Sequence, residues 1–141
     1  LTSPEMQSGF KVADYFFSKS LIFSKITLQP DEFKLYETLF NIIYKQLPKP
    51  ELFVYIHVSI EKLIENIRKR GREYEKELKP EYLERLQHGY FEYFRTLRKQ
   101  KVLILDIQDL DFIHNSEDLK IIEETIFDND YKTGLNHVSL Q

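Results

Sequence analysis

Leu52-Phe53-Val54-Tyr55-Ile56-His57-Val58 runs with hardly a polar interruption. This is the pattern of a strand buried on both faces of a parallel sheet. Pro48-Lys49-Pro50 closes whatever helix precedes it, and Ser59 beyond it can cap the next one. That next helix carries Ile60, Leu63, Ile64 and Ile67 and ends near Gly71. Pro80 opens a longer helix through Tyr82, Leu83, Leu86, Tyr90, Phe94 and Leu97, and Val102 to Ile107 is a second short apolar strand. Asn115 or Ser116 then caps a helix with Leu119, Ile122 and Ile126. Strands alternate with helices, and both strands read as buried on both faces, which predicts an α/β fold: a parallel sheet flanked by helices. Parallel sheets usually hold more than the roughly three strands readable here, so part of the sheet is expected to lie outside this chain.

Upstream, Leu1 to Phe10 reads as a loop or frayed end, and Lys11 to Phe17 as a short strand ending near Asp14. Ser18 to Ser24 turns helical. Pro30 suits a first helical position, and Asp31 and Glu32 favour the positive end of the helix dipole. From there Phe33, Tyr36, Phe40, Ile43 and Leu47 mark one helical face, with Leu35, Leu39 and Ile42 as a second stripe beside it. A helix apolar on two stripes buries both, so residues 31–46 form either an internal helix or a subunit interface. Residues 1–127 read as one domain and 128–141 as a polar, flexible tail.

With 141 residues, one core is affordable and two are not. Hydrophobic residues at 42% and charged ones at 30% fit a globular chain. A net charge of −3 excludes a generally basic, nucleic-acid-coating surface. The lack of cysteine removes disulfides, thiolate zinc sites and cysteine nucleophiles. No apolar run approaches the roughly 20 residues of a spanning helix, so no membrane partner and a cytoplasmic location are expected. The four glycines, Gly9, Gly71, Gly89 and Gly134, lie too far apart to form a glycine-rich phosphate loop. The four histidines share no metal-ligand spacing, and His57 reads as a satisfied core residue. Asp106, Asp109 and Asp111 read as turn chemistry, so no metal site is expected.

The densest chemical signal is Asn66-Ile67-Arg68-Lys69-Arg70-Gly71-Arg72-Glu73-Tyr74-Glu75. Cations at a helix C-terminus satisfy its dipole, which leaves a solvated basic end as one reading. On the other reading, Arg70 and Arg72 flank a glycine that lets the backbone turn, so both planar forks can close over one anion. Glu75 is then either a salt-bridge partner or an acceptor for a substrate hydroxyl.

Arg70-Gly71-Arg72-Glu73-Tyr74-Glu75, followed by Tyr82-Leu83-Glu84-Arg85-Leu86, resembles the lid region of deoxynucleoside kinases. The strand ending in Val58-Ser59, the segment Asp14 to Phe23, and Ile104-Leu105-Asp106-Ile107 with Asp111-Phe112 fall in that family's order, over most of residues 11 to 127. The resemblance implies a phosphate-loop-kinase-like fold and phosphoryl transfer from ATP, with Mg, to the 5′-hydroxyl of a deoxynucleoside, with a purine as the guess. It implies that Arg70 and Arg72 clamp the donor phosphates and stabilise the transition state, the two catalytic assignments. Glu75 would bind the 3′-hydroxyl, Phe23 would pack by the base, and Asp14 would belong to the acceptor side. Arg68, Asp111 and Phe112 would serve the ATP side, the last two in the adenine loop. A homodimer through residues 31–46 is also implied.

This chain departs from the family pattern at Asn66, where another lid arginine is usual, and at Asp14-Tyr15, where the strand-end motif normally holds an arginine. No GxxxxGK occurs, so the chain is read as the C-terminal portion of such a kinase and expected to be inactive alone. Two other readings stay open. One is a noncatalytic interaction or dimerisation module derived from the kinase fold, favoured by the missing phosphate loop. The weaker one is a nucleoside monophosphate kinase-like protein, which also uses lid arginines.

Overall fold

The computed structural model describes Gly9 and residues 11–140. They divide into two compact units, Leu1–Lys45 and Gln46–Gln141. Apart from Gly9, the loop expected over residues 1–10 lies outside the described residues.

In the first unit, helix α1 spans Ser18–Thr27 and α2 spans Pro30–Tyr44. The entry to α2 is set locally. Pro30 occupies the first turn, and the Gln29 N–H donates to Glu32 Oε2 at 3.0 Å, which satisfies an amide that the helix cannot. Phe40 is buried, stacked between Phe17 (centroids 5.0 Å apart) and Tyr44 (5.1 Å). The second stripe behaves differently. Leu35, Leu39 and Ile42 are exposed, as is Ile43 of the first stripe.

The strand expected over Lys11 to Phe17 does not form. Those residues are irregular, and Val12, Asp14 and Tyr15 are exposed. β-propensity reports how well a side chain packs on a pleated surface, and no described strand lies beside this segment to pair with it.

The second unit holds a three-stranded parallel sheet, ordered β1 (Leu52–His57), β2 (Lys101–Asp106) and β3 (Gly134–Ser139). The helices are α3 (Ile60–Arg70), α4 (Pro80–Thr96) and α5 (Ser116–Phe127), with a 3₁₀ turn at Glu73–Glu75 between α3 and α4. Ladder partners include Phe53 with Val102, Tyr55 with Ile104, and Leu103 with Asn136. On one face, Phe53 and Tyr55 meet Tyr90, Phe91 and Phe94 of α4, with ring centroids 5.2–6.4 Å apart. This is the range in which aromatic pairs attract beyond simple burial. Burial, and then the neighbouring Tyr90 hydroxyl, raise the pKa of Tyr55 above the ordinary tyrosine value. On the other face, Leu103 and Leu105 pack with Ile107 and with Ile122 of α5.

Both-face burial, expected for both apolar strands, holds for β2 but not for β1. Val102, Leu103, Ile104 and Leu105 are all buried. β1 pairs on one side only among the described residues, and Val54 and Ile56 keep 36% and 44% of their surface exposed. The two strands look alike in sequence because each is an apolar run; their place in the sheet is what differs. Among the described residues, no helix is long and apolar enough to cross a membrane.

The polar stretch from Asp128, expected as a loose tail, contains β3. Gly134 turns with φ +87°, its N–H donates to Gln100 O at 2.7 Å, and the Leu140 N–H donates to Asp106 O at 2.8 Å. The strand is half-buried in strict alternation, a pattern with too few apolar residues to stand out in the sequence. Removing residues 134–141 therefore exposes one edge of β2 and strips Val138 from the core. We expect a loss of about 2 kcal/mol or more in urea unfolding; a truly loose tail would leave the midpoint unchanged.

Candidate functional site

The carboxyl ends of parallel strands are where open α/β sheets present their binding residues. His57 and Asp106 end β1 and β2, and His57 Nδ1 lies 3.3 Å from Asp106 Oδ2. Asp106 Oδ1 is buried and has no hydrogen-bond partner among the described residues. From this edge the chain enters α3. The Ser59 hydroxyl accepts from the Lys62 N–H at 3.2 Å, the Ser59 N–H donates to Gln108 Oε1 at 3.1 Å, and Gln87 Nε2 of α4 donates to Val58 O at 2.7 Å. The start of α3 is thereby tied both to α4 and to the loop after β2.

The far end of α3 carries the arginines. Gly71 ends the helix in the left-handed region at φ +68°, which costs a glycine little and other residues more. The chain then reverses into the 3₁₀ turn, closed by the Glu75 N–H donating to Arg72 O at 3.1 Å. This reversal brings Glu75 back onto Arg70. Arg70 Nε donates to Glu75 Oε2 at 3.0 Å and Arg70 Nη2 to Glu75 Oε1 at 2.6 Å, a two-pronged ion pair. Arg72 Nη1 stands 3.6 Å from the same Oε1 and donates to the Tyr74 hydroxyl at 3.1 Å. The Glu75 side chain keeps only 10% of its surface exposed, whereas Arg70 and Arg72 keep 50% and 51%. The basic end of α3 is thus not simply solvated: two guanidinium groups turn in on one carboxylate.

Beside this pair, α3 and α4 enclose a cleft of about 370 Å³. Ile64, Ile67, Leu78 and Leu83 supply its apolar lining, and Arg68, Glu75 and Lys76 its polar groups. Arg68 makes no ion pair among the described residues, while Lys76 pairs with Glu73. At the adjoining residue of α3, the bond to Glu65 holds the Lys69 ammonium above its ordinary pKa, and the negative charge of Asp111 adds to that effect. Asp111 itself sits below the usual carboxylate range, chiefly through its bond to His114. Phe112 beside it is partly exposed.

Of the residues singled out in the sequence, Arg70, Arg72 and Glu75 come together, and Arg68 lines the adjoining cleft. Asp111 and Phe112 occupy the loop between β2 and α5. Asp14 and Phe23 belong to the first unit; Asp14 is exposed in irregular backbone rather than at a strand end, and Phe23 is half-buried on α1. The His57–Asp106 pair was not anticipated. Its signal was present: each is a polar residue closing an apolar strand.

The described residues thus form an α/β unit: a parallel sheet with flanking helices and paired arginines at the turn after α3. Comparison with known proteins narrows this. The family model for deoxynucleoside kinase matches residues 7–129, and the chain belongs to that family. It is 34% identical to a deoxyguanosine kinase of Bacillus subtilis over 115 residues, 79% of this chain and 56% of the relative. It is 32% identical to a deoxyadenosine kinase of Lactobacillus acidophilus over 111 residues, 69% of this chain and 51% of the relative. A deoxyadenosine/deoxycytidine kinase of Bacillus subtilis is 25% identical over 129 residues. The chain spans between half and three-fifths of the length of these relatives. The family assignment removes the nucleoside monophosphate kinase alternative.

Proposed function

We propose that this chain supplies the lid and part of the acceptor site for transfer of the ATP γ-phosphoryl group to the 5′-hydroxyl of a purine deoxynucleoside. The observation that carries this reading is the convergence of Arg70, Arg72 and Glu75 on one turn within a chain of the deoxynucleoside kinase family. Such catalysis is mostly positioning and charge neutralisation. Arg70 and Arg72, half-exposed on either side of Gly71, are suited to meet donor phosphates. Glu75 is suited to accept from a sugar hydroxyl; Phe23 and Asp14, in the first unit, keep the base-packing and acceptor-side roles that the resemblance implies. Arg68 and the loop residues Asp111 and Phe112 would serve the ATP side. The purine preference rests on relatives that are deoxyguanosine and deoxyadenosine kinases.

The described residues offer no group of three carboxylate or imidazole ligands for a metal. A Mg²⁺ ion accompanying ATP would therefore find no ready-made ligand set among them. Nor do the 141 residues contain a GxxxxGK loop. Without backbone amides and a lysine around the phosphates, the arginines bind donor but do not complete the catalytic arrangement. A cytoplasmic location is part of the same proposal.

Calorimetry with ATP and 2′-deoxyguanosine on the purified chain tests the site. Binding of ATP is expected, weakened about tenfold or more in the doubly substituted Arg70→Gln/Arg72→Gln chain; equal binding by both would refute the assignment. Turnover near the 1–100 s⁻¹ typical of kinases is not expected from these residues alone, and observing it would overturn that part.

The exposed stripe of Leu35, Leu39 and Ile42 favours a homodimer through residues 31–46, whether or not the chain is catalytic. Light scattering should show a dimer that Leu39→Glu converts to monomer. A monomeric parent chain would contradict this.

A further inference from the structure

Arg70, Arg72 and Glu75 have two tasks in the functional reading, yet here they are occupied with one another. The fork of Arg70 is committed on two sides, Nε to Oε2 and Nη2 to Oε1. Glu75 has both oxygens engaged and little access to water. A phosphate oxygen that takes the fork must displace this carboxylate, and a displaced, largely buried carboxylate without a donor is costly. Conversely, a hydroxyl that donates to Glu75 weakens its hold on Arg70 and releases the fork. Either ligand alone thus breaks a good ion pair and leaves one side poorly satisfied. Both together exchange that pair for two new ones.

We propose that the Arg70–Glu75 pair is an exchangeable latch that couples the two ligands: a polyphosphate takes the arginines while a deoxynucleoside hydroxyl takes Glu75, each favouring the other. The inference rests on the reading of these residues as the nucleotide site and adds the linkage between its halves. Coupling of this kind is reciprocal, so the factor is the same whichever ligand comes first. Glu75 acts as the internal stand-in for phosphate, and Gly71 supplies the turn that lets it reach Arg70. Glu73, two residues away, makes a natural control. It carries the same charge but is 85% exposed and bound to Lys76, so it should take no part in the exchange.

The test titrates inorganic tripolyphosphate into the full chain by calorimetry, with and without saturating 2′-deoxyguanosine, using the parent protein, Glu75→Gln and Glu73→Gln. In the parent, the nucleoside should raise tripolyphosphate affinity by about tenfold, within the usual range of coupling between sites. In Glu75→Gln, tripolyphosphate should bind more tightly at the outset, and the nucleoside should add nothing. Glu73→Gln should behave like the parent, which separates the exchange from a general loss of negative charge.

A second measurement needs no substitution. The Arg70 Nε–H resonance of the parent should shift far more with both ligands present than with either alone. If both ligands bind the parent independently, or if Glu75→Gln keeps the full coupling, the latch is refuted while the site assignment stands. If the parent binds neither ligand, both fail.

Discussion

A carboxylate with a tenth of its surface exposed, gripped from two directions by one guanidinium, organises the turn that follows α3. Glu75 has too little water to stand alone, so it needs Arg70. Arg70 can answer only because Gly71 ends α3 in the left-handed region and the 3₁₀ turn folds the chain back. Arg72 is carried by the same reversal to within 3.6 Å of the same oxygen. Three side chains are thereby held in a small volume at the end of one helix, where two positive charges outnumber one negative. In the proposed function, that surplus charge is what would draw an anion.

The sheet sets where that helix end lies. Central β2 is buried along Val102–Leu105, with Ile122 of α5 packed against Leu103 and Leu105, and β1 runs beside it in register. The start of α3 is pinned by Ser59, Gln87 and Gln108, so the direction of α3 follows from the direction of β1. The apolar interior thus fixes the base of the element that carries the arginines. The edge at His57 and Asp106 belongs to this rigid part, and the turn at Gly71 is its unburied extremity.

Much of this was legible in the residues. Pro30, Ser59, Pro80 and Asn115 marked helix starts, because a proline or a capping oxygen acts locally and leaves a local trace. The grouping of Arg70, Arg72 and Glu75 was readable for the same reason: a single turn connects them. What was misread depended on distant partners. The segment from Lys11 has strand-like composition but no described strand to pair with. β3 has weak composition but pairs because β2 offers an open edge. β1 and β2 cannot be ranked as edge and centre without knowing the neighbours of each. The His57–Asp106 contact joins residues 49 apart in the chain, a separation that no local pattern encodes.

The most direct measurement is a double-mutant cycle across Arg70 and Glu75 by urea unfolding, with Arg70→Met, Glu75→Gln and the double substitution. Because the guanidinium is half in water, the expected coupling is discounted to about 1–2 kcal/mol in favour of the intact pair. A coupling indistinguishable from zero would mean that the two side chains do not hold one another in solution, and would contradict the account at its base.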